Sequence, residues 1–97
     1  MKAVAEINWN WMLFKDEEKY ILSVLCGSVG MYTREIVLSD QEFADYQTSG
    51  EKALERLARD ICHFQSQYES RQVPDFHLNE EAKLAAKEWR AAHAQRP

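Results

Sequence analysis

At 97 residues the chain is long enough for one domain and too short for two, so residues 1–97 are expected to form a single unit. With 45% hydrophobic and 29% charged residues, three glycines and two prolines, it has the apolar mass of a folded globule, which excludes disorder, collagen-like sequence and coiled-coil arrays. The formal charge of −4 is carried by residues 1–50, which hold four Lys/Arg against eight Asp/Glu, while residues 51–97 hold eight of each.

From Ile7 the pattern alternates: Ile7, Trp9, Trp11 and Leu13 fall on one side, Glu6, Asn8 and Asn10 on the other. Period two with aromatic and branched residues predicts a half-buried first strand. Lys15 to Lys19 is a charged connection of hairpin length, and Tyr20 to Cys26, apolar except for Ser23, suits a central strand. Gly27-Ser28-Val29-Gly30 reads as a turn; it lacks the Lys-Ser/Thr of a phosphate loop and precedes a strand. Met31 to Leu38 is the third strand of an antiparallel meander.

At Ser39 the period changes. Ser39-Asp40-Gln41-Glu42 fits a capping box, with Leu38 and Phe43 placed for a hydrophobic staple, and the helix it starts is interrupted at Thr48-Ser49-Gly50. Thr48 and Glu51 repeat the box spacing ahead of a longer helix, roughly Gly50 to Glu69, whose stripe includes Ala53, Leu54, Leu57, Ala58, Ile61, Cys62 and Phe64. A linker around Pro74 leads to Asn79, which caps a last helix reaching about Ala94. The fold class is therefore α+β: a three-stranded antiparallel meander followed by two or three helices packed on one face, βββααα. The other sheet face would show Met12, Phe14, Ile21, Leu25 and Val37 among Ser23, Met31, Thr33 and Glu35, a mixture suited to a protein interface unless the linker or last helix covers it.

Cys26 and Cys62 are too few for the disulfide framework of a small secreted domain, no apolar run has membrane-span length, and Glu6 breaks any signal-peptide core. A reducing cytoplasm and a soluble protein are the expectation. No metal-ligand spacing appears, so neither metal nor cofactor is predicted. Two small core thiols are the simpler reading of the cysteines; a nucleophile requires folding to bring His63 or His77 beside Cys26. Lys83, Lys87 and Arg90 make a basic stripe diluted by Glu80, Glu81 and Glu88, which favours a solvated helix face over a phosphate contact.

The acidic residues form the more telling set. Asp16, Glu17 and Glu18 occupy one hairpin tip, and Glu35, Asp40, Glu42 and Asp45 lie along the end of the third strand and the helix after it. A meander puts those two places at the same end of the sheet, so the seven carboxylates are predicted to converge. The bland alternative is that Asp40 and Glu42 serve the helix start and the tip acids serve solubility. Convergence would attract a cationic partner and repel phosphate backbones, which disfavours nucleic acid. In size, charge and element order the whole chain resembles the small acidic bacterial immunity proteins, with Ile36-Val37-Leu38-Ser39-Asp40-Gln41-Glu42 its most suggestive stretch. That resemblance implies non-catalytic, one-to-one inhibition of a basic toxin such as a nuclease, with Asp16, Glu17, Glu18, Glu35, Asp40, Glu42 and Asp45 as contacts. The alternative is a homodimer paired through the open sheet face at Met12, Phe14, Ile21, Leu25 and Val37.

Overall fold

Two-residue periodicity governs the chain up to Val37, and helical periodicity governs most of the remainder. A computed structural model describes residues 1–7, 11–26, 32–73 and 76–93. Four antiparallel strands, β1 (Lys2–Ile7), β2 (Trp11–Asp16), β3 (Lys19–Cys26) and β4 (Tyr32–Val37), form one sheet in chain order. The α+β class holds, with one strand more than expected. The predicted first strand is two: β1 ends at Ile7 and the chain returns as β2 at Trp11. Lys2–Ile7 carries two alanines and two charges, a poor strand pattern by itself, and pairing with β2 is what recruits it. The expected positions of Asn8, Trp9, Asn10, the Gly27–Gly30 turn and Met31 lie outside the described residues.

Register decides which side chains share a face. Ala3 lies opposite Phe14 but Ala5 opposite Leu13, so Val4 is the extra residue of a β-bulge and Glu6 comes level with Met12. In β2, Trp11 and Leu13 face one way and Met12 and Phe14 the other, and all four are buried. A strand with no polar side needs cover on both faces. The helices accordingly split between them. α2 (Glu51–His63) lays Leu54, Leu57, Ala58 and Ile61 on Leu13, Leu22, Val24 and Ile36, while α3 (Glu80–His93) lays Ala82 and Ala85 over Met12, Phe14 and Ile21. The expectation of helices stacked on one face gives way to a three-layer arrangement.

The capping box at α1 (Asp40–Ser49) forms as the spacing predicts: the Ser39 hydroxyl accepts the Glu42 amide at 3.2 Å, and the Glu42 carboxylate accepts the Ser39 amide at 2.9 Å. Phe43 stacks on Tyr20 with ring centroids 4.3 Å apart, and Leu38 packs on the α2-side core. The second box does not form. Gly50, at φ 69°, is the N-cap of α2 and offers no side chain. Nor does α2 reach Glu69; it stops at His63, Phe64 is exposed, and two short 3-10 turns, Gln65–Gln67 and Glu69–Arg71, come after it.

The linker then runs beside β4. Gln72 bridges Ile36, and the Val73 amide donates to the Glu35 carbonyl at 2.8 Å, which blunts an otherwise open sheet edge. From there the chain passes to the other face, where Phe76 meets Phe14 edge-on with centroids 5.2 Å apart. Asn79 caps α3 as expected, its side-chain oxygen accepting the Ala82 amide at 3.1 Å.

The cysteines correct the sequence reading most sharply. Cys26, at the end of β3, and Cys62, in the last turn of α2, are joined in a disulfide across a Cα–Cα distance of 5.5 Å. Packing α2 on the sheet brings together two positions 36 residues apart, a relation no local pattern reports.

Candidate functional site

The end of the sheet that carries the β2–β3 hairpin gathers part of the acidic set. Asp16 pairs with Lys19, leaving Glu17 and Glu18 as the turn, and Glu17 has φ 57°, a left-handed backbone that favours glycine. The start of α1 is tied to this hairpin twice. Leu38 donates its amide to the Tyr20 carbonyl at 2.8 Å, and Phe43 stacks on the Tyr20 ring, with the Lys15 ammonium 5.9 Å from that ring's centroid. Glu17, Glu18 and Asp40 are exposed and Asp16 is half-buried. Among the described residues none of these four carboxylates makes an ion pair or a side-chain hydrogen bond.

Asp45 lies further along α1. It is exposed, accepts a hydrogen bond from the Gln41 amide at 3.1 Å, and lines a groove of about 370 Å³ with Glu42, Arg56, Asp60 and Tyr68. Burial first, and then the Asp60 and Glu42 carboxylates, push the Tyr68 phenol above its usual range despite the Arg71 guanidinium on its ring.

Two predicted contact residues stand apart from this corner. Glu42 receives both terminal nitrogens of Arg71, at 2.6 and 3.0 Å, besides closing the capping box. Burial alone would raise its pKa. The hydrogen bond from Arg71, the Ser39 amide and the Arg71 charge outweigh that and hold its carboxyl below the ordinary glutamate range. Arg71 also donates to the Val37 carbonyl at 3.1 Å, so this pair fastens the linker to both α1 and β4. No periodicity marks Arg71, which stands in a linker 29 residues from its partner. Glu35, in mid-β4, sits opposite Ser23 on the α3 side of the sheet and is only 5% exposed. It is no part of the acidic corner.

The predicted interface is corrected too. Met12, Phe14 and Ile21 are buried under α3 and Phe76, Val37 is packed against the same cluster, and Leu25 is half-buried. The homodimer expectation thus loses most of the surface it was drawn on. Cys26, held in the disulfide, has no thiol to pair with a histidine, and His63 is exposed. Among the described residues no group of three His, Cys, Asp or Glu side chains is placed to hold a metal ion, and no helix is long and apolar enough to cross a membrane.

No family model, curated protein or solved structure matches the chain. Its function is therefore carried by the geometry of the site alone. Lys15 and Lys19 flank three carboxylates at the hairpin, and Asp40 adds a fourth from α1. This small, partly compensated corner can attract a cationic surface at modest salt.

Proposed function

We propose that the chain is a non-enzymatic binding module that engages a basic protein through Asp16, Glu17, Glu18 and Asp40, with Asp45 alongside. In the form suggested by its resemblance to immunity proteins, it neutralises a cationic toxin such as a nuclease by presenting carboxylates where phosphate would bind. The observation that carries this reading is the docking of the hairpin on α1 through Tyr20, Phe43 and Leu38, which gathers carboxylates without internal partners at one end of the sheet. The backbone of Glu17 supports it as well. A left-handed conformation costs a non-glycine residue about 1 kcal/mol, yet the position is filled by a charge. Glu42 leaves the contact set because it is committed to Arg71, and Glu35 leaves the acidic corner because it is buried on the α3 side.

So low a cysteine count predicts the cytoplasm. A reducing cytoplasm would keep Cys26 and Cys62 apart as thiols, so the disulfide weighs towards an oxidising compartment for the folded form. Affinity capture from the native cell tests the function. A basic protein should be retained at low ionic strength and released as salt rises, and the double variant Glu17→Lys, Glu18→Lys should lose it. Equal retention by the variant would overturn the role of the hairpin.

A further inference from the structure

α3 covers only part of its face of the sheet. Packed over β1, β2 and Ile21, it leaves Ser23, Thr33 and Glu35 beside it to line a cavity of about 180 Å³, walled by Phe14 and Phe76. A second cavity of about 220 Å³ shares Met12, Ser23, Thr33 and Arg90 with the first and extends the groove towards Leu25 and Glu6. One polar group here is unlike the rest. Glu35 is 95% removed from solvent, the Ser23 hydroxyl donates to one of its oxygens at 2.8 Å, and no cation among the described residues lies within ion-pair distance of it. The cations at the rim have carboxylates of their own: Arg90 holds Glu6 at 3.1 and 3.2 Å, and Lys83 faces Glu80 at 3.5 Å. One negative charge is left over in an apolar-walled groove.

A carboxylate taken from water without a cation is costly, and the cost is recovered when a cation with good hydrogen-bond geometry enters. We infer that this groove is a receptor for one arginine side chain of the basic partner, a deepening of the proposed function that rests on the partner being a basic protein. The guanidinium would donate to the Glu35 oxygen that Ser23 leaves free. Its flat, weakly hydrated plane suits the Phe14–Phe76 wall better than a compact ammonium would, and its aliphatic stem would lie against Met12. The exposed acidic corner then steers the partner, and the buried carboxylate selects one side chain, as desolvated charge pairs do at binding hot spots.

The test is an NMR titration of the intact protein with acetyl-Gly-Arg-Gly-amide, and with the same peptide carrying neutral citrulline. The arginine peptide should give saturable shifts at the amides of Ser23, Thr33 and Glu35. Binding should weaken about tenfold with citrulline or in Glu35→Gln, which keeps the shape and the Ser23 contact. Thr33→Trp, a change at an exposed position on the rim, should block the groove without touching the core. Absent shifts, or equal binding by Glu35→Gln, would overturn the assignment. The Glu17→Lys, Glu18→Lys variant separates the two ideas: it should bind the peptide like the parent chain while losing the captured partner. Loss of capture without loss of peptide binding supports both sites, whereas loss of capture by this variant with no arginine-peptide shifts in the parent chain leaves only the corner.

Discussion

The two faces of the sheet are built from different materials. On the α2 side, Leu13, Leu22, Ile36, Leu54 and Ile61 are fully buried aliphatics that fill the space between helix and sheet, and the disulfide closes one end. On the α3 side the helix offers alanines, Ala82 and Ala85, so it lies close to Met12 and Phe14 but reaches little beyond them, and Ser23, Thr33 and Glu35 are left beside a groove. Grooves open on the α2 side as well, one of about 320 Å³ lined by Trp11, Val24, Ala58 and Cys62. What sets the α3 side apart is a buried carboxylate, Glu35, in the wall of its groove. On the proposed reading, the side chain that selects a partner arginine lies on the opposite side of the sheet from the aliphatic core.

The contrast can be broken by mutation. Leu54→Ala empties a fully enclosed site on the α2 side and should cost about 3–5 kcal/mol in chemical denaturation, a large share of what a domain this small possesses. Replacing Cys26 and Cys62 together by alanine frees a closure between positions 36 residues apart and should cost roughly 3 kcal/mol, with reductant matching that loss in the parent chain. Ala85→Leu overfills the α3 side and should cost about 1–3 kcal/mol; a loss exceeding that of Leu54→Ala would invert the assignment of the two faces. Glu42→Gln should have the smallest effect, about 1 kcal/mol at neutral pH, and its sign with pH is fixed. The Glu42 pKa is lowered in the folded chain, so its contribution is present above the ordinary value of 4.5 and fades as pH falls through the lowered one. Denaturation curves of parent and variant should therefore converge in acid; a gap that widened there would contradict the role given to Arg71.

Local patterns in the sequence were enough to determine the β2–β3 hairpin, β4, the Ser39–Glu42 capping box and the Asn79 cap, because each depends on residues within a few positions of one another. They also placed the hairpin tip and the start of α1 at one end of the sheet, which is the part of the candidate site that short connections dictate. β1 was illegible because Lys2–Ile7 is a strand only by virtue of its neighbour. Tertiary packing alone decided the rest: α3 crossing to the second face, Glu35 buried in the groove beside it, Glu42 finding Arg71, and Cys26 meeting Cys62. Each of those outcomes joins residues far apart in sequence, and they are selected by the need to cover a strand, β2, that is apolar on both of its sides.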